Sequence, residues 1–150
     1  MIEFIHTFLG FASLISGLGI VTTKKGSRHH RLVGRLYVLF MLGLNFTAFG
    51  IYKLFGGWGV FHWMAIASLI PLLAGYFSIL HKNITAHYYF MCWSYIGLLC
   101  ATISEIFVHV PAAKLLLAEF SNIDTVPILC LISAGFFLLP KYQYRYVHKA

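Results

Sequence analysis

Five long apolar segments dominate this 150-residue chain and decide what it can fold into. A helix needs about 20 residues to cross the hydrocarbon core of a bilayer, with a range of about 17–25. The fifth segment is short, but three tyrosines after it extend it as an interfacial aromatic belt. The sequence therefore predicts an all-α integral membrane protein with five transmembrane helices, at residues 4–22, 36–52, 60–80, 88–108 and 126–140.

The composition disfavours both a water-soluble fold and a nucleic-acid-binding domain. Hydrophobic residues make up 60% of the chain and charged residues only 10%, whereas soluble domains carry about a quarter charged residues. The net charge of +7 follows from where the basic residues lie between the segments. We therefore expect a lipid bilayer as the partner and no nucleic acid.

The basic residues fix the orientation that the sequence predicts. If the N-terminus lies outside, nine of the eleven lysines and arginines fall on the inner side, and all four acidic residues fall outside or at outer helix ends. Such a bias is typical of cytoplasmic loops, and it favours contact with anionic lipid headgroups at the inner face. We expect a bacterial inner (plasma) membrane protein with a cytoplasmic C-terminus. The nine inner residues are Lys24, Lys25, Arg28, Arg31, Arg35, Lys82, Lys141, Arg145 and Lys149.

The chain contains an internal repeat. The stretch "ASLISGLG" at residues 12–19 returns as "ASLIPLLAG" at residues 67–75, and "HRLVGRLY" at 30–37 corresponds to "HYYFMCWSY" at 87–95. Equivalent residues are 55 to 58 positions apart. Chance matching between apolar strings is the alternative explanation.

The repeat predicts a single transmembrane domain over residues 1–150. Each copy is a two-helix hairpin, so both copies insert with the same orientation, related by an axis along the membrane normal. Repeat 1 covers about 2–55, repeat 2 about 58–109, and a fifth helix about 126–146. The expected core is a pseudo-symmetric four-helix bundle with one added helix.

The repeat also places four histidines in two pairs. His6 and His62 fall at the outer ends of helices 1 and 3, and His30 and His87 at the inner ends of helices 2 and 4. Ionisable groups within spans suggest function by default, although headgroups and water also solvate interfacial histidines. Bis-histidine ligation of haem b fits the alternating pairs. Two inner arginines, one helical turn apart, are then candidates for a haem propionate, a lipid phosphate or an anionic substrate group: Arg31 and Arg35.

A second interpretation places a metal at the outer face. Glu105 and His109 are four residues apart on one helix face, and with His6 and His62 they would form a set of three histidines and one carboxylate. Such a set suits zinc or another divalent cation. Glu105 could then act as the catalytic base toward a metal-bound water. A hydrogen-bonded Glu105–His109 pair without metal is the simpler alternative.

Two motifs resemble those of a bacterial membrane-protein family known as domain of unknown function 2306. The helix-2 motif H-R-x-x-G-R-x-Y of that family is matched over residues 30–37, and its helix-4 motif is matched at His87, Met91, Ser94 and Tyr95. Trp93 stands where the family has an arginine. The resemblance covers about residues 2–106 and implies a membrane protein without bringing an activity.

Three functions are compatible with the sequence. The first is transmembrane electron transfer through haem b, the second a membrane hydrolase or metal-handling protein with zinc, and the third a lipid- or partner-binding subunit with no cofactor. A homo-oligomer is compatible with all three.

Overall fold

The computed structural model describes residues 1–51, 56–119 and 125–147, and this part of the chain contains helices and no strand. The all-α prediction is therefore confirmed. The short helix α5 was not predicted from hydropathy, and Lys149 lies outside the described residues. The helices are α1 (Ile2–Thr22), α2 (Arg28–Ala48), α3 (Val60–Leu80), α4 (Ile84–His109), α5 (Pro111–Glu119) and α6 (Thr125–Val147).

Within the described residues, four helices are long and apolar enough to cross a membrane. They provide the spans Ile2–Thr22, His62–Leu80, Ile84–His109 and Thr125–Gln143. Helix α2 has the same 21-residue length as α1, but three arginines lie among its first eight residues, and it is not among these spans. An integral membrane protein is thus supported with four candidate spans, and a fifth span through α2 stays a prediction.

Local signals at the helix ends make two tight hairpins. Ser27 begins α2 by accepting a hydrogen bond from the backbone N–H of His30 at 3.1 Å. At the end of α3, Lys82 takes a left-handed conformation with φ 58°, and the N–H of Asn83 donates to the carbonyl of Ser78 at 2.9 Å, as in a Schellman motif. The Asn83 side chain then caps the start of α4. Both turns therefore reverse the chain within a few residues.

Four helices form a ring around a common axis. Helix α1 packs against α2 and α4, and α3 packs against the same two helices. Among the described residues, no backbone contact joins α1 to α3 or α2 to α4. Each of these two pairs therefore faces across the axis, and α6 lies outside the ring against α4.

The centre of the ring is a small apolar core. Met41, Leu72 and Leu98 are at most 4% exposed and pack with the buried ring of Tyr37. Most other large apolar side chains point outward, such as Phe4 at 79% and Phe137 at 78% exposure. Such a surface is compatible with lipid and not with water.

A contact between α4 and α6 shows which helix ends lie at the same end of the bundle. The hydroxyl of Tyr89 on α4 donates to Gln143 on α6 at 2.7 Å, so the C-terminal half of α6 lies beside the start of α4. The α1–α2 turn, the α3–α4 turn and the end of α6 therefore share one end, here named the basic end. The N-terminus of α1 and the C-terminus of α4 lie at the other, here named the opposite end.

Candidate functional site

The basic end carries His30 and His87 on the two helices that face each other across the axis. His30 lies in the first turn of α2 and His87 just after the first turn of α4, and both are half-buried. The His87 ring lies within electrostatic range of His30. The structure thus brings the two members of this predicted pair into one neighbourhood.

One helical heptad deeper, α2 and α4 are joined directly. Tyr37 follows His30 by seven residues, and Ser94 follows His87 by seven. Their side-chain oxygens lie 3.0 Å apart, and both residues are 1% exposed. Residues seven apart lie on nearly the same face of a helix. The two histidines therefore stand on the axial faces of α2 and α4.

The ring nitrogens of the two histidines are held differently. His87 Nδ1 lies 2.8 Å from the carbonyl oxygen of Gly75 on α3. A carbonyl only accepts, so Nδ1 carries the proton and Nε2 keeps a lone pair. The carbonyl of Ile20 approaches the His30 ring, but the buried Nδ1 of His30 makes no well-aligned hydrogen bond to any described residue. In its neutral form His87 thus keeps a lone pair on Nε2, whereas His30 has an Nδ1 without a well-aligned hydrogen bond.

A lysine completes the basic end of the site. The ammonium of Lys25 donates to the carbonyls of Ile20 at 2.7 Å and Val21 at 2.9 Å, which have no N–H donor from the helix backbone because α1 ends there. Burial lowers the pKa of Lys25 from its usual value of 10.5. Its charge also lies within electrostatic range of His30. The site is therefore a half-buried cluster of basic side chains.

At the opposite end, His6 is anchored to α2. Its Nδ1 lies 2.9 Å from Thr47 Oγ1, and the Thr47 hydroxyl donates to the carbonyls of Gly43 and Leu44. Because the single hydroxyl proton is used there, the hydroxyl oxygen accepts from His6 Nδ1. His6 therefore keeps a lone pair on Nε2.

His62 is held in the other tautomer. It is 2% exposed, and its Nδ1 accepts from the backbone N–H of Gly59 at 3.1 Å. The indole ring of Trp58 stacks on it at a centroid distance of 4.8 Å. An Nδ1 that accepts leaves the proton of a neutral ring on Nε2. In this arrangement His62 is a poor ligand for a metal or a haem.

Glu105 and His109 form a side-chain pair near the surface. His109 Nδ1 lies 2.9 Å from Glu105 Oε2, and the two side chains are 62% and 42% exposed. Glu105 also lies within electrostatic range of His6. However, the described residues contain no group of three or more histidine, cysteine or acidic side chains arranged to hold a metal ion. The four-residue zinc set has no assembled counterpart there and stays a prediction.

The two arginines of α2 point away from the axis. Arg31 is exposed, and its Nη1 donates to the carbonyl of Gly26 at 2.7 Å. Arg35 lines a groove between α2 and α3 on the lipid-facing surface. Arg31 lies within electrostatic range of His30, but no hydrogen bond joins either arginine to His30 or His87 among the described residues, so their role toward a cofactor stays a prediction.

Sequence reasoning missed a polar pair on the far side of the apolar core. Asn45 is 4% exposed, accepts from Ser68 of α3 and donates to the carbonyl of Met41 at 2.7 Å. The spacing in the sequence could have predicted that Asn45 is buried, because it follows Tyr37 by eight residues on the same helix face. Polar side chains therefore occupy the bundle axis on both sides of the apolar core.

Trp93, which stands where the family motif has an arginine, faces α6. Its ring lies 4.9 Å from that of Phe136 and packs against Gly135. This position therefore serves the packing of α6 and lies away from the histidines.

The comparisons with known proteins agree with the resemblance of the motifs. A family model described as "Predicted membrane protein (DUF2306)" matches residues 3–140. Comparison with curated proteins and with solved structures gave no match. The match includes both histidine pairs and all four candidate spans apart from the end residues. The chain therefore belongs to the DUF2306 family of predicted membrane proteins.

Proposed function

We propose that the basic end binds one haem b through His30 and His87 and that the protein transfers electrons there. The observation that carries this is the Tyr37–Ser94 hydrogen bond, because it fixes the faces of α2 and α4 on which both histidines stand. Histidine pairs on facing helices of a bundle are a common way to hold haem.

The donor set of the pair fits this cofactor. Histidines that bind metals usually donate the other ring N–H to a carbonyl or carboxylate, which fixes the tautomer. His87 does so toward Gly75, and the buried Nδ1 of His30 makes no well-aligned hydrogen bond to a described residue. A bound haem would supply one-electron redox chemistry.

The protein's own residues would bind and shield the group. Gly75 orients His87, and Lys25 adds positive charge near His30. The buried Tyr37–Ser94 pair and the apolar core beneath it separate the site from the far half of the bundle. The pair His6 and His62 is less well supported, because His62 carries its proton on Nε2 in this arrangement.

Haem content of the purified protein tests the proposal. We expect a Soret band from protein produced in cells with ample haem supply, and its loss in His87→Ala and His30→Ala. His81→Ala and His29→Ala are matched controls, because both histidines are exposed at the same end, and should keep the band. Stoichiometric zinc without colour would support the metal-site alternative. Protein that contains neither haem nor zinc would support the cofactor-free alternative. Either result refutes the haem proposal.

Two parallel repeats of one hairpin are the architecture that goes with this site. The ring order supports it, since the contacts of α1 with α2 and α4 mirror those of α3 with α4 and α2. Equivalent positions also meet at the axis, where the rings of Tyr37 and Tyr95 lie 6.2 Å apart. An experimental structure in which residues 2–48 do not superpose on residues 60–105 by rotation about the bundle axis would refute it.

The membrane orientation is proposed from the same charge asymmetry. The basic end, with nearly all described lysines and arginines, would face the cytoplasm of a bacterium and its anionic headgroups. The N-terminus would then lie outside, and α2 would complete five spans. A homo-oligomer remains compatible with the largely apolar surface.

A further inference from the structure

A groove of about 320 Å³ runs between α2 and α3 on the lipid-facing surface. The part nearest the basic end is lined by Arg35, Tyr76 and Phe77. The part nearer the middle of the bundle is lined by Leu42 and Leu73. Leu42 is seven residues beyond Arg35, or about 10 Å along the helix. The groove is thus apolar along its length and cationic at its mouth.

The guanidinium of Arg35 is available for an anion. Arg35 is exposed and makes no hydrogen bond or ion pair with the described part of the chain. Arg31, one turn earlier, already donates to Gly26. An arginine at a membrane interface is stabilised by a phosphate, which it can bind with two parallel hydrogen bonds.

A second groove provides the contrast within the same molecule. It lies between α1 and α2, measures about 540 Å³ and has no charged residue in its lining. Ser16 is the polar residue there, and its hydroxyl is used by the carbonyls of Ala12 and Ser13. This larger groove has nothing to recognise a headgroup.

We propose that the α2–α3 groove is a binding site for one anionic phospholipid. The phosphate of the headgroup binds Arg35, and an acyl chain lies along Leu39, Leu42 and Leu73. Charge complementarity selects an anionic lipid, as for other basic pockets between transmembrane helices. The site is independent of the haem proposal, since it faces away from the histidines.

Native mass spectrometry of detergent-purified protein tests the site. With phosphatidylglycerol and phosphatidylcholine of identical chains, we expect one phosphatidylglycerol retained at least tenfold better than phosphatidylcholine by the wild type. Arg35→Gln should abolish this preference and Arg31→Gln should keep it. Equal retention of the two lipids by the wild type, or an unchanged preference in Arg35→Gln, overturns the proposal.

A pair of groove-filling variants checks the acyl-chain position. Leu39 is 62% exposed and lines the α2–α3 groove, and Leu36 is 38% exposed and lines the other. Leu39→Trp should lower phosphatidylglycerol retention severalfold, whereas Leu36→Trp should leave it unchanged. If Leu36→Trp lowers retention and Leu39→Trp does not, the lipid lies in the α1–α2 groove and the proposal is overturned. Helix content by circular dichroism shows whether each variant is folded.

Discussion

The hydroxyl oxygens of Tyr37 and Ser94 lie 3.0 Å apart at the axis of the bundle, 57 residues apart in the chain. His30 and His87 are separated by the same 57 residues, one heptad nearer the basic end. The hydrogen bond therefore fixes the relative rotation of α2 and α4. Because the rotation is fixed, it also decides which way the two histidines face.

Removing the Tyr37 hydroxyl tests this contact. Tyr37→Phe leaves the buried Ser94 hydroxyl without its partner, and it should lower the free energy of unfolding by about 1 kcal/mol. Ser94→Ala should cost a similar amount, and the double variant should cost less than the sum. Thermal unfolding in detergent measures all three.

Tyr76→Phe is the control for that series. Tyr76 is 39% exposed on α3 and should tolerate the change within about 0.5 kcal/mol. Equal losses in Tyr37→Phe and Tyr76→Phe would mean that the cross-bundle hydrogen bond does not stabilise the fold.

The close approach of α1 to α4 depends on one glycine. A Cβ at Gly17 would overlap the ring of Tyr95, so Gly17→Ala should destabilise the bundle by about 1–3 kcal/mol. Gly10 also lies on α1, but a Cβ there has its nearest neighbour at 3.7 Å. Gly10→Ala should therefore be neutral or stabilising, and equal effects of the two changes would contradict this packing.

The helical architecture could be predicted from the sequence because hydropathy and helix-end signals are local. The apolar segments, the N-cap at Ser27 and the reversal at Lys82–Asn83 are all readable from neighbouring residues. Helix α5 was missed because nine residues are too few to form a hydropathy signal. Hydropathy is ambiguous for helix α2, because its arginines lower the mean hydropathy of an otherwise apolar helix.

The candidate site was less predictable because it depends on tautomers and tertiary contacts. The sequence pairs His6 with His62 as readily as His30 with His87. What separates the pairs is the Gly59 N–H, which donates to His62 Nδ1, and the Gly75 carbonyl, which accepts from His87. Neither contact has a signature in the spacing of the histidines.

The Glu105–His109 pair should contribute little to stability. Both side chains are well exposed, and ion pairs in solvent are typically worth about 0–1 kcal/mol. We expect Glu105→Gln to change the free energy of unfolding by less than about 1 kcal/mol and to leave metal content unaltered. Loss of stoichiometric zinc in Glu105→Gln, measured by elemental analysis, would instead support the metal interpretation.

Cysteine labelling tests the orientation. In a background without Cys92, Cys100 and Cys130, Glu3→Cys should react with an impermeant maleimide on intact cells, and Lys24→Cys should react only after lysis. Both positions are exposed and lie at opposite ends of α1 and its turn. Labelling of Lys24→Cys on intact cells would reverse the proposed topology.

The most direct measurement is the number and spin state of haem groups per chain in the purified wild type. Pyridine haemochrome analysis gives the ratio, and electron paramagnetic resonance of the ferric protein gives the spin state. If His30 and His87 hold the haem iron, we expect one low-spin b-type haem per chain, and conversion to high spin or loss of haem when His87 is replaced by alanine. A haem-free protein, or a low-spin signal that survives in both His30→Ala and His87→Ala, would contradict the proposed site.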